Sequence, residues 1–234
     1  MTAPRRVFVT GTDTGVGKTL VSAAIATCWR ATGQAVVYVK PIQSGAADGD
    51  DDAADVGALA DVPTVVGPVV GPSLAPAVAV RLAGGEVTGD ELATVVADAR
   101  AAHPNAGMIV EGAGGALVEL GTDGTTCADL AGRLDLPVVV VARPGLGTLN
   151  HTTLTLNELD RRGLDVLGVV VCGYPDDPDL ATRTNVAELD RWTARRLVGV
   201  VPRLSTVNHD ALAAARDWFT PALGGDAGPF VAVV

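Results

Sequence analysis

Residues 7–19 read Val7-Phe8-Val9-Thr10-Gly11-Thr12-Asp13-Thr14-Gly15-Val16-Gly17-Lys18-Thr19. An apolar β-branched run comes first, glycines and small polar residues follow, and a helix-forming stretch runs on to about Ala31. That order predicts a strand, a tight turn and a helix. Outward from this unit the pattern repeats. Ala35 to Lys40, Met108 to Glu111, Leu136 to Ala142, Val166 to Cys172 and Leu197 to Val201 read as further strands. Leu74 to Leu82, Gly89 to Ala101, Leu149 to Arg162 and Leu180 to Arg196 read as helices. Between them lie a polar acidic loop over Asp48 to Asp55 and a Pro/Gly-rich loop over Pro63 to Pro76. Short continuous apolar strands alternating with helices imply a parallel sheet covered on both faces. The expected fold is a single-domain, doubly wound, mostly parallel α/β sheet over residues 1–234.

Composition narrows the function classes. The 234 residues carry 17 basic and 27 acidic side chains, a net charge of −10, with a mean hydropathy of +0.33. That much apolar material folds rather than staying disordered, and the acidic balance excludes nucleic acid as the expected partner. Apolar runs are far shorter than the ~20 residues of a membrane span. No apolar stretch follows Arg5 and Arg6, so no signal peptide is expected and the location is taken as cytoplasmic. Cys28, Cys127 and Cys172 are widely spaced and suggest neither a disulfide framework nor a zinc site. His103, His151 and His209 are scattered, and none reads as catalytic. Of the 17 basic residues only two are lysines, Lys18 and Lys40. A chain that has replaced nearly all its lysines and kept these two directs attention to both.

Thr10 to Thr19 departs by one position from the phosphate-loop pattern GxxxxGK(S/T), with Thr12 where the first glycine stands. The physical requirements survive. Gly15 and Gly17 let backbone N–H groups turn toward an anion. The helix start adds its positive dipole end. Lys18 supplies a mobile charge for terminal phosphates, and the Thr19 hydroxyl suits Mg²⁺. Asp13 occupies the place where partitioning-type switch ATPases carry a second lysine, which weighs against that alternative reading.

Lys40 closes the second strand, and a right-handed crossover is expected to set that end beside the phosphate loop. Glu111 closes the third strand before Gly112-Ala113-Gly114-Gly115, where an acid for Mg²⁺ is expected in phosphate-loop enzymes and where glycines let a ligand approach the backbone. One aspartate of the acidic loop could complete the Mg²⁺ oxygens; spacing alone does not select it.

These blocks, with Lys40-Pro41-Ile42-Gln43-Ser44-Gly45 and Gly145-Leu146-Gly147-Thr148-Leu149-Asn150-His151, resemble the dethiobiotin synthetase family of phosphate-loop NTPases. The resemblance spans about residues 7–202; the last 30 residues add little to it. It implies a ligase of biotin biosynthesis that uses 7,8-diaminononanoate, CO2 and ATP or another nucleoside triphosphate with Mg²⁺. By resemblance Lys18 and Lys40 are catalytic, and Lys40 holds a carbamate. Thr14, Gly15, Val16, Gly17, Lys18 and Thr19 surround the phosphates. Thr19, Asp52 and Glu111 hold the metal, with Asp55 the second choice to Asp52. Ser44, Gly112 and Ala113 contact the diamine. Thr148, Leu149 and Asn150 reach a neighbouring subunit's substrate in a homodimer. Cys172 and Gly173 stand where the family often reads adenine with an Asn, and Pro202 and Arg203 border the base. Gly15 also departs, since the family often has Glu there.

Overall fold

Side chains of a strand alternate between its two faces, and the apolar strands here use both. In a computed structural model, which describes residues 6–193, 197–228 and 230, the chain runs β1 (Arg6–Gly11), α1 (Lys18–Ala31), β2 (Val36–Lys40), α2 (Asp52–Ala60), β3 (Thr64–Val66), α3 (Pro76–Leu82), α4 (Gly89–Ala102), β4 (Gly107–Gly115), α5 (Cys127–Arg133), β5 (Val138–Ala142), α6 (Thr148–Arg161), β6 (Val166–Tyr174), α7 (Leu180–Thr193), β7 (Leu197–Pro202) and α8 (Ala215–Trp218). The strands form one sheet in the order β3-β2-β4-β1-β5-β6-β7, with every neighbouring pair parallel. Val7, Val9, Tyr38 and Val139 face α1, α2 and the C-terminal segment. Phe8, Val37, Val110 and Val140 face the opposite layer, which includes α4 to α7. The doubly wound α/β expectation is met.

Several elements differ from the sequence reading. β3 lies inside the stretch read as a loop from Pro63 to Pro76; at three residues it is too short to show a period. The acidic loop is half helix, because Asp51 caps α2 by accepting the Ala54 N–H at 2.9 Å. An aspartate run reads as solvated chain until its capping role is seen. α5 is a further helix beyond those expected, and its Thr126/Asp129 capping box marks the start. β4 continues through Gly115 and β6 through Tyr174, past the ends expected at Glu111 and Cys172. The expected end of α7 at Arg196 lies outside the described residues. β2 also does not sit beside β1: β4 lies between them, so the two lysines face each other across Glu111's strand.

The C-terminal segment has a structural task. Leu212, Ala215, Phe219 and Leu223 are fully buried against the layer that holds α1. The Trp29 indole N–H donates to the Leu223 carbonyl at 3.1 Å, and the Thr220 N–H donates to the Val198 carbonyl at 3.0 Å. Removing a buried Phe side chain costs about 3–5 kcal/mol. Phe219→Ala is therefore expected to lower Tm by roughly 6–20 °C, read by thermal denaturation, while turnover measured well below Tm stays close to the parent's. Lost turnover at an unchanged Tm would contradict this structural role.

Candidate active site

The first strand–helix turn is built on left-handed backbone. Gly15 has φ +70° and Gly17 φ +94°, and Gly17 is the N-cap of α1. Side chains rarely adopt this region, so glycine is required where the N–H groups must converge. Gly17 has a second constraint: a Cβ placed there would lie 2.4 Å from Cys172 Sγ. Cys172 thus packs under the phosphate loop from β6. Burial pushes its thiol up to about 12, so it remains a neutral group and a weak hydrogen-bond partner.

Val16 packs into the core, whereas Thr14 is exposed and donates its N–H to Asp13 Oδ1 at 2.8 Å. The other Asp13 oxygen pairs with Arg143 Nη2 at 2.7 Å. Asp13 therefore spends its charge on a neighbour of the loop. Lys18 is buried and donates from Nζ to the Asp13 carbonyl at 3.1 Å. Burial, opposed by Glu111 and reinforced by Lys40, lowers its pKa from the ordinary lysine value.

Carboxylates and cations meet at the carboxyl ends of β2 and β4. Lys40 Nζ lies 2.5 Å from Asp52 Oδ2, 3.0 Å from Glu111 Oε1 and 3.0 Å from the Gly112 carbonyl. Burial alone would lower its pKa, but Glu111 and Asp52 together outweigh that and hold it above the ordinary value. Asp52 is likewise resisted by burial and carried below the usual carboxylate range, chiefly by Lys40. The Thr19 hydroxyl lies 2.8 Å from Asp52 Oδ1 and 3.2 Å from Glu111 Oε1. The site therefore brings together Lys18, Thr19, Lys40, Asp52, Glu111 and Gly112. Asp55 remains exposed on α2, and burial followed by the neighbouring Asp52 raises its pKa.

Among the described residues no group of three His, Cys, Asp or Glu side chains is arranged around a metal position. The oxygens of Thr19, Asp52 and Glu111 nonetheless fit Mg²⁺, which is commonly held by one or two carboxylates with phosphates and waters completing the shell. Thr19, Lys40 and Ser22 do not use every lone pair of the Asp52 and Glu111 carboxylates, which leaves acceptor capacity for a cation.

Other expected residues fall around this centre. Ser44 is half-buried just beyond β2. Gly112 has no room for a side chain, since a Cβ would lie 2.8 Å from Cys127 Sγ, and the Ala113 carbonyl accepts from that thiol at 3.1 Å. Gly173 (φ +84°), Pro202 and Arg203 sit at the ends of β6 and β7, where the Arg203 N–H donates to the Tyr174 carbonyl at 2.7 Å. Gly147 (φ +93°) opens α6. Of the three residues expected to reach a neighbour, Asn150 is exposed and Leu149 half-buried. Thr148 is fully buried, with its hydroxyl 3.5 Å from that of Thr152. Its side chain thus packs within this chain, because the first turn of α6 turns inward there.

Ser22 was not read from the sequence. It donates to Glu111 Oε2 at 2.7 Å and is fully buried. A lone hydroxyl three positions after Thr19, on the buried face of an apolar helix, was the available signal.

Comparison with known proteins now bears on this geometry. The family described as AAA domain matches residues 5–211. The ATP-dependent dethiobiotin synthetase BioD of Parafrankia sp. (strain EAN1pec) is 43% identical, covering 94% of this chain and 93% of its own. That of Anaeromyxobacter sp. (strain K) is 48% identical, with 85% and 90% covered, and that of Mycobacterium avium (strain 104) 41% identical, with 93% and 99% covered. The chain belongs to the ATP-dependent dethiobiotin synthetase family. Among solved structures, a ParA family ATPase from Chlorobium tepidum TLS superimposes with TM-score 0.55 at 13% identity, covering 94% of this chain and 91% of that one. The signal recognition particle receptor FtsY from Elizabethkingia anophelis gives 0.57 at 15%, with 96% and 65% covered. At these identities the likeness establishes the fold alone. Family membership favours the ligase reading over the switch-ATPase alternative.

Proposed function

We propose that this chain closes the ureido ring of dethiobiotin from 7,8-diaminononanoate, CO2 and a nucleoside triphosphate, as an enzyme of the cytoplasm. The observation that carries this reading is Lys40, a buried ammonium shared by Asp52, Glu111 and the Gly112 carbonyl beside the phosphate loop. One amine adds CO2 and loses a proton, giving a carbamate. A carbamate oxygen attacks the γ-phosphorus, and the nucleoside diphosphate leaves. The second amine then attacks the carbonyl carbon, and phosphate leaves as the ring closes.

The phosphoryl transfer joins two anions, the carbamate and the triphosphate, so concentrated positive charge lowers its barrier. Lys18 and the loop N–H groups from Gly15 to Thr19 hold the phosphates. Lys40, kept charged by its two carboxylates, acts as a fixed cation for the carbamate, with no part as a proton acceptor. Ser44, Gly112 and Ala113 line the diamine side. Mg²⁺, held by Thr19, Asp52 and Glu111, would neutralise phosphate charge when bound.

A homodimer goes with this reading. The start of α6, with Leu149 and Asn150, would face the partner's substrate, and Leu146 at 88% exposure and Leu154 at 60% offer apolar surface for the contact. Sedimentation velocity is expected to give twice the chain mass.

The decisive assay supplies the protein with Mg²⁺, ATP, bicarbonate and the diamine and measures phosphate. Release is expected to require the diamine, with dethiobiotin formed in equal amount. Phosphate release indifferent to the diamine overturns the proposal. Parallel assays with CTP and GTP read the base preference, which the weakly bonding Cys172 leaves to other groups.

A further inference from the structure

Gln43 lies between two parts of the site and belongs to neither in the reading above. Its side chain is buried at 3% exposure. The amide Nε2 donates to the Ser44 carbonyl at 2.6 Å, and Oε1 accepts the Asp52 N–H at 3.2 Å. Its own backbone is held as firmly: its N–H donates to the Pro68 carbonyl at 3.0 Å, and its carbonyl accepts the Val70 N–H at 2.8 Å. The side chain therefore projects from a fixed strand extension.

What it grips is the start of α2, reached through a segment whose Gly45, Ala46 and Ala47 N–H groups donate to the Pro72, Val70 and Gly71 carbonyls, and whose Asp48 and Asp50 carboxylates accept from Ser73. Residues 46–51 are exposed, and the segment turns at Gly45 and Gly49, both with φ near +90°. The packing of Ala53, Val56 and Leu59 sets the axis of α2. The half-buried Asp52 backbone takes its remaining restraint from local bonds. The Asp52 N–H is one of the donors a helix start leaves without an internal partner. Gln43 supplies that partner, and in doing so fixes the backbone from which the Asp52 carboxylate reaches Thr19 and Lys40. The same amide holds Ser44 at the diamine end.

We propose that Gln43 is a positioning residue: it sets the Asp52 carboxylate for the metal–nucleotide site and links that carboxylate to the segment carrying Ser44. The proposal rests on Asp52 being a metal ligand, as argued above. Partners of metal ligands typically change metal affinity by about 10–100-fold when removed.

The test is a double-mutant cycle on the full chain, with Mn²⁺ affinity read by electron paramagnetic resonance in the presence of a non-hydrolysable ATP analogue. Gln43→Met keeps the length of the side chain and loses both hydrogen bonds. It is expected to weaken Mn²⁺ binding about tenfold, and to add less than about twofold in an Asp52→Asn background, because the two act through one carboxylate. Gln43→Ala is carried through the same cycle should the Met variant not fold. If Asp52→Asn weakens Mn²⁺ binding and the Gln43 variants do not, or if their losses simply add, the positioning role is overturned while the site reading stands. If Asp52→Asn leaves Mn²⁺ affinity unchanged, the metal assignment fails and the Gln43 proposal falls with it.

Discussion

Lys40→Ala is expected to lower kcat for ring closure by at least about 10²–10³-fold, the scale of losing one electrostatic stabiliser of a developing anion. Nucleotide binding is expected to change far less, since Lys18 and the loop backbone remain. The substitution has a second consequence. Lys40 is 2% exposed and Glu111 1%, so its removal takes the shared cation from between Glu111 and Asp52. Breaking a buried pair in this way costs about 3–5 kcal/mol. Tm is expected to fall by roughly 6–20 °C, and saturating Mg²⁺ is expected to restore more stability to the variant than it adds to the parent. Calorimetry with and without Mg²⁺ measures this directly. Turnover near the parent's would remove Lys40 from the chemistry, and a Tm indifferent to the substitution would contradict the buried cluster.

Gly17→Ala is expected to weaken nucleotide binding about 100-fold. Two costs combine. The left-handed φ of +94° disfavours any Cβ by about 1–2 kcal/mol. Contact with Cys172 Sγ at 2.4 Å adds overpacking on the order of 1–3 kcal/mol. The loop relieves both by rotating, which turns its N–H groups away from the phosphates. The two costs separate experimentally. Adding Cys172→Ala removes the sulfur and leaves the backbone cost, so the double variant is expected to recover about tenfold in affinity. Titration with a fluorescent ATP analogue reads all three proteins. Unchanged affinity in Gly17→Ala would mean that this glycine does not shape the anion site. Failure of Cys172→Ala to restore binding would assign the whole loss to φ.

The elements legible in advance were those with local causes. β1, its glycine turn and α1 are contiguous, so their apolar pattern and backbone requirements appear within the 26 residues from Arg6 to Ala31. β5 and β6 were legible because buried parallel strands are nearly uniform in Val. Elements whose cause is distant or brief were not. β3 pairs with only three residues of β2. Ser22 became informative once Glu111 stood opposite, 89 residues away along the chain.

The candidate site divides in the same way. Two surviving lysines, a phosphate-loop pattern and a glutamate following an apolar run were legible in the sequence alone, because each depends on residue type and immediate neighbours. Which groups meet was decided by the tertiary structure. β4 inserts between β1 and β2, so Glu111 reaches Lys40 across 71 residues and Thr19 across 92. The phase of α2, set by burying Ala53, Val56 and Leu59, turns Asp52 rather than Asp55 toward Thr19 and Lys40. Strand order and helix phase are settled by packing the whole core, and no window of sequence contains that information.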